Sequence, residues 1–241
     1  MRLNRMNPIK ILAVFLLAGI SIPCLAPDES SKISVHVENK ILNQGKTFTI
    51  EADMYYWSDI KKLITKYDAP RNLVYVYTST GETKVYNTES NEVRVNQNPA
   101  MTSKHNLLYL FVNNNLQDMG LREAGYKLQE TNYEDNYMIS YWESGGESRL
   151  TLPKIKLVHE NHIPIYTAYY NLKDQLVRKT YYSEYQYFKS FAMPLRVTDI
   201  DYLPNGDSLI TRMRYMDVKT GMQAQSSYFY FEVPEDAKLV E

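Results

Sequence analysis

Residues 47–56 read TFTIEADMYY, and this stretch decides the fold. Apolar side chains occupy every second position, from Phe48 through Ile50 and Met54 to Tyr56, with mostly polar residues between them. A period of two over ten residues predicts a strand that buries one face. The sequence therefore predicts a half-buried strand over residues 47–56, and we expect the face that carries Phe48 to point inward.

Similar short stretches, rich in β-branched and aromatic residues, recur along the chain with turn residues between them. Asn205-Gly206 is the strongest turn signal, because both residues accept a positive φ angle. This spacing predicts an antiparallel meander rather than alternating strands and helices. The predicted strands are 33–37, 47–56, 60–67, 73–78, 83–87, 93–96, 126–130, 137–142, 149–158, 163–171, 176–187, 195–203, 208–218 and 223–233.

One stretch in the middle of the chain departs from this pattern. Leu107, Leu108 and Phe111 are at helical spacing, and Thr102 or Ser103 is the expected N-cap. Residues 118–125 predict a second short helix that ends at a glycine. We expect one domain, mainly β, in which a curved antiparallel sheet, with short helices inserted in mid-chain, curls around an interior space.

Residues 1–26 predict a secretory signal peptide. Three cations precede an apolar run over residues 11–20, which is short for a membrane span. Cleavage is expected near Ala26 or within Gly19–Ser21, which leaves residues 27–241 as a single exported β domain. Acylation of Cys24, which would make the protein a membrane-anchored lipoprotein, is the less favoured alternative.

Composition excludes several classes of function. Lys and Arg number 27 and Asp and Glu 28, for a formal net charge of −1, so no basic surface for nucleic acid is expected. A single cysteine excludes an intrachain disulfide and a multi-thiolate metal site. The sequence lacks a serine nucleophile elbow and a paired-histidine zinc motif, and His159 and His162 are interpreted as surface imidazoles near a turn. We expect neither an enzyme nor a metal or cofactor.

The chain has 22 tyrosines, on both faces of the predicted strands. They favour either cross-strand packing or, on an exposed face, stacking against sugar rings or bases. Arg212 and Arg214 share one face of their strand, with Lys219 beyond, which is typical of a solvated face or of a patch for an acidic partner.

Several stretches together resemble the LolA-like family of bacterial outer-membrane lipoprotein-sorting proteins, in particular its Bacteroidetes-type variants. Residues 66–70, 73–76, 81 and 85–87 are similar to the start of the family's sheet. The helical lid region resembles residues 107–111, 119–121 and 125–126, and the closing strands resemble residues 194–197, 205–206 and 229–234. The family's interior arginine, which contacts the lid, has no matching position here.

The resemblance implies an incomplete, strongly curved antiparallel barrel with a helical lid over an apolar cavity. Its members carry lipids or acylated lipoproteins, so we expect a non-enzymatic periplasmic carrier. The residues expected to contact the acyl chain, unless they are ordinary core, are Phe48, Ile50, Met54, Leu107, Leu108, Phe111, Phe229 and Phe231. The alternatives are an envelope sensor that binds a membrane-anchored protein, and a glycan-binding module.

Overall fold

A computed structural model describes residues 31–68, 72–98, 103–145 and 152–240. The predicted signal segment, Ala26 and Cys24 lie outside these residues. The described chain is mainly β, as expected, with a single large curved sheet that does not close. The strands are β1 Lys32–Asn43, β2 Lys46–Trp57, β3 Lys62–Tyr67, β4 Leu73–Tyr77, β5 Glu82–Asn87, β6 Glu92–Gln97, β7 Tyr126–Glu134, β8 Tyr137–Ser144, β9 Lys154–Glu160, β10 Ile163–Tyr170, β11 Leu176–Tyr187, β12 Ala192–Tyr202, β13 Ser208–Thr220 and β14 Lys238–Leu239.

The first strand occupies the middle of the sheet. The strand order is β14-β6-β5-β4-β3-β2-β1-β13-β12-β11-β10-β9-β8-β7. All neighbours are antiparallel except β14, which runs parallel to β6. Two meanders therefore extend from β1, one in each direction. Because β7 and β14 stand at opposite ends of the order, the sheet is an open, incomplete barrel.

The alternation in β2 sets the two faces of the sheet. Val35, Met54 and Tyr56 are buried on what we call the inner face. Their neighbours in sequence, such as Tyr55, point to the opposite, outer face, as a period of two requires. The Asn205-Gly206 turn also forms as expected, with Gly206 at a φ of 84° between β12 and β13.

A short helix, α1 Leu107–Val112, packs on the inner face. Its N-cap is Asn106, whose side chain accepts a hydrogen bond from the Leu108 N–H at 2.9 Å. The expectation of Thr102 or Ser103 was wrong, because a separate 3₁₀ turn, Ser103–His105, precedes the helix. Four consecutive residues of α1, Leu108 to Phe111, are buried.

Two predicted elements do not form. Residues 118–125 adopt turns instead of a helix, since Gly120 and Gly125 both have positive φ and the Asp118 side chain accepts a hydrogen bond from the Gly120 N–H. Residues 223–233 form no strand. They contain the 3₁₀ turns Gly221–Gln223 and Ser227–Tyr230, the second capped by Ser226.

The chain from 221 to 240, which we call the C-terminal segment, covers the outer face of β2–β6. Tyr228 stacks on Tyr55 with a centroid separation of 5.3 Å, and Phe231 lies 6.0 Å from Tyr86. The sheet cluster beneath it includes Ile64, Val74, Val76 and Val93. The sheet thus buries apolar residues on both faces, on the inner face under α1 and on the outer face under the C-terminal segment.

Candidate ligand-binding site

Phe111 is the centre of the contact between α1 and the sheet. Its ring lies 5.9 Å from that of Tyr182 and 6.1 Å from that of Tyr185, both near edge-to-face. Glu184, which lies between the two tyrosines, has a φ of 58° and departs from the regular strand conformation, and both rings contact Phe111 although they are three residues apart. The helix therefore docks through an aromatic cluster.

Two hydrogen bonds from side-chain amides hold α1 at its C-terminal end. The Asn113 side-chain amide donates to the Tyr56 hydroxyl at 3.1 Å, and the Asn114 amide donates to the Ser190 carbonyl at 2.8 Å. Burial raises the pKa of Tyr56 to about 12, so its hydroxyl is neutral at pH 7. These two bonds connect the end of α1 to β2 and to the loop before β12.

Most of the predicted acyl-contact residues on the inner face lie beneath or within α1. Leu108 and Phe111 are fully buried, Met54 is buried, and Leu107 is partly buried. Their side chains fill the space between α1 and the sheet. Ile50 is half-buried, and Phe48, which was expected to point inward, is 55% exposed near the end of the strand.

Phe229 and Phe231 are on the other side of the sheet. Phe229 is buried edge-on against Tyr55, and Phe231 contacts the outer-face cluster. The expectation that these two residues line the same cavity as Phe111 was wrong. It followed from the predicted strand at 223–233, whereas these residues form the cover of the outer face.

Farther along the inner face, away from α1, the surface becomes polar. The Thr180 hydroxyl donates to Asp199 at 2.6 Å, and Arg178 pairs with Asp201 at 2.5 Å. Burial raises the pKa of Asp199. An inner face with an apolar and a polar region matches an amphipathic ligand better than a purely apolar one.

An open groove of about 690 Å³ lies on the inner face at the free edge of the sheet. One wall is the segment after α1, including Asp118 and Arg122, and the other is the inner face of β7–β9. The sheet wall and the turns at its end contribute Leu128, Thr131, Tyr133, Asp135, Asn136, Tyr137, Met138, Ser140, Trp142, His159, Asn161 and His162. We call this space the edge groove.

His159 is the residue that sequence reasoning misjudged. It is 1% exposed, and its Nε2 lies 2.7 Å from the Leu116 carbonyl oxygen, so it is not a surface imidazole. His162, by contrast, is exposed as expected. The sequence carried a sign of this burial, because His159 follows Ile155 and Leu157 at every second position and shares their buried face of β9.

Within the described ranges, no group of three or more His, Cys, Asp or Glu side chains is arranged to hold a metal ion. Among the same residues, no helix is long and apolar enough to cross a membrane.

No protein-family model and no curated protein matches the chain by sequence. Solved structures do match it. A LolA superfamily protein from Nitrosomonas europaea aligns with a TM-score of 0.56 at 12% identity, covering 84% of this chain and 91% of that one. A putative outer-membrane lipoprotein-sorting protein domain from Vibrio parahaemolyticus aligns with a TM-score of 0.57 at 11% identity, covering 83% and 89%.

A DUF1329 family protein from Desulfovibrio piger is similar to the same extent, with a TM-score of 0.56, 15% identity and coverage of 83% and 90%. These alignments span most of both chains in each case. The chain has a LolA-like fold, as the sequence resemblance predicted. At identities this low, the three matches show a shared fold alone.

Proposed function

We propose that this chain is a carrier that holds the acyl chain of a lipid or lipoprotein between α1 and the inner face. One observation carries the proposal: an apolar helix covers the apolar part of the inner face of an unclosed LolA-like sheet. The structural neighbour from Vibrio parahaemolyticus is a putative outer-membrane lipoprotein-sorting protein domain, which supports a carrier function.

The acyl chain must first part α1 from the inner face, because side chains of α1 fill that space in the closed form. Exposing four buried apolar side chains costs roughly 6–12 kcal/mol at about 1.5–3 kcal/mol each. A chain of about sixteen carbons recovers roughly 12 kcal/mol at ~0.8 kcal/mol per methylene. The cost of parting α1 from the sheet and the gain from burying the acyl chain are of similar size. The acyl chain can therefore both enter and leave.

We further propose that residues 1–26 direct export to the periplasm and that residues 27–241 form the carrier. The cargo on this proposal is a lipid or an acylated lipoprotein, received from or passed to a membrane-anchored partner. No step requires a cofactor or bond-breaking chemistry.

The experiment is a fluorescence titration of residues 27–241 with dansyl-undecanoic acid. We expect saturable binding that palmitate competes away. Tyr56→Phe removes the hydroxyl that holds Asn113 but keeps the ring, so the closed form loses about 1 kcal/mol and probe affinity rises about fivefold.

Tyr86→Phe is the matched control. It deletes a hydroxyl bonded to Asn91 at 3.0 Å on the outer face, and probe affinity should not change. Absence of saturable acyl binding would overturn the carrier. An equal effect of both substitutions on affinity would show that α1 does not control access.

A further inference from the structure

One residue that lines the edge groove has a buried polar atom with no partner among the described residues. His159 Nδ1 is buried and has no hydrogen-bond partner among the residues that the structure describes. The same imidazole lines the groove. A buried polar atom without a partner costs about 1–3 kcal/mol, so a ligand group that enters the groove and reaches Nδ1 would recover that cost.

The other ring nitrogen fixes what that group must be. Nε2 faces the Leu116 carbonyl oxygen, which can only accept, so Nε2 carries the proton. Burial lowers the pKa of His159, which keeps the ring neutral at pH 7. Nδ1 is therefore a bare acceptor, and it requires a hydrogen-bond donor.

The rest of the edge groove combines apolar surface with polar groups. Trp142 forms part of its wall, with the Arg122 guanidinium 5.2 Å from its ring centre. Leu128 and Tyr133 line the outer part and are 40% and 75% exposed. A volume of about 690 Å³ is within the range of small-molecule sites, roughly 300–1,000 Å³.

We propose that the edge groove binds the polar end of the carrier's acyl ligand, with a ligand hydroxyl or amide N–H donating a hydrogen bond to His159 Nδ1. The inference rests on the proposed carrier function and adds the chemistry of the head group. A glycerol hydroxyl meets the requirement, whereas a simple ester, which has no donor, does not.

The test compares 1-monolaurin with methyl laurate, which carries the same twelve-carbon acyl chain but no hydroxyl. The chain has two tryptophans, so in a Trp57→Phe background Trp142 reports on the groove directly. We expect monolaurin to bind about fivefold more tightly than methyl laurate, as one net hydrogen bond predicts.

His159→Gln is the decisive substitution. Its amide nitrogen can keep the bond to the Leu116 carbonyl while the acceptor at the Nδ1 position is lost. The fivefold preference for monolaurin should disappear and methyl laurate affinity should stay within about twofold. His36→Gln, on β1 outside the groove, where the imidazole bonds the Asp53 carboxylate at 2.8 Å, is the matched control and should keep the preference.

Equal affinity for both ligands in the Trp57→Phe protein, or a preference that survives in His159→Gln, overturns the subsite. No change in Trp142 fluorescence while dansyl-undecanoic acid still binds also overturns it and leaves the carrier standing. The reverse result, a His159-dependent preference without binding of the dansyl probe, keeps the groove as a ligand site and overturns the carrier.

Discussion

Two phenylalanines show how position on the sheet decides the contribution of a side chain. Phe111 is 1% exposed between two tyrosine rings, whereas Phe48 is 55% exposed at the far end of β2. A buried phenyl ring contributes transfer free energy and packing, while an exposed ring contributes little to the folded state. On the carrier proposal, Phe111 also gives the closed form its stability.

Phe111→Ala is expected to lower the free energy of unfolding by about 3–5 kcal/mol, because it leaves a cavity in the aromatic cluster. Phe48→Ala, the matched control, should change it by less than about 0.5 kcal/mol. Urea unfolding followed by circular dichroism measures both. A loss below about 1 kcal/mol for Phe111→Ala would mean that α1 is not docked as described.

The sequence predicted the inner face from Met54 and Tyr56 because alternation along one strand is local information. It did not predict the burial of His159, because polarity alone assigns an imidazole to the surface. The edge groove depends on Leu116 and Asp118 meeting β9, and this contact joins residues about forty positions apart. A pattern within a short window of sequence carries no information about such a distant contact.

At the scale of elements, α1 depends on its surroundings. Six residues make fewer than two helical turns, and a helix of this length is not stable alone in water. The turn at Gly120 supports it from the side: a Cβ atom there would lie 3.2 Å from the Leu110 Cδ2 atom. The position of α1 is thus fixed by the sheet and by the segment that follows it.

Gly120→Ala should therefore destabilise more than Gly206→Ala. Both glycines have a positive φ, 78° and 84°, so each substitution costs about 1–2 kcal/mol in the backbone. A Cβ at Gly206 meets nothing within 4 Å, whereas the one at Gly120 crowds Leu110, which adds about 1 kcal/mol. Thermal unfolding compares the two, and equal losses would contradict the contact.

The C-terminal segment shows why one element was mispredicted. Phe229 and Phe231 alternate as in a strand, but a strand that continued the meander after β13 would need the place beside β13 that β1 already occupies. Their aromatic rings bind the outer face instead, against Tyr55 and Tyr86. Alternation reports which residues are buried, and it does not report which surface they cover.

Across the whole molecule, tyrosine is the residue that links stability to pH. Burial raises the pKa of Tyr56 and of Tyr169 to about 12, and it raises those of Tyr182 and Tyr215 as well. The folded protein keeps these phenol protons at a pH where the unfolded chain, with pKa values near 10, has lost them. Below about pH 10 these phenols are protonated in both states, and their burial contributes fully to the free energy of unfolding.

We expect the free energy of unfolding to fall as pH rises from about 10 through 12, because ionisation of the phenols favours the unfolded chain. Urea unfolding at a series of pH values measures the fall, and phenolate absorbance reports ionisation in the same samples. A stability that stays level to about pH 12, or tyrosines that all titrate near 10 in the folded protein, would contradict the burial described here.

The central place of β1 has a consequence for assembly of the fold. Its partners on one side belong to the adjacent hairpin, but on the other side Ile33 pairs with Thr220, near the opposite end of the chain. Contacts so distant in sequence form slowly, because a long loop must close first. We expect each meander to form early and independently, and the two halves to join only when β13 reaches β1. A ribosome must therefore release nearly the whole polypeptide before the full sheet can assemble.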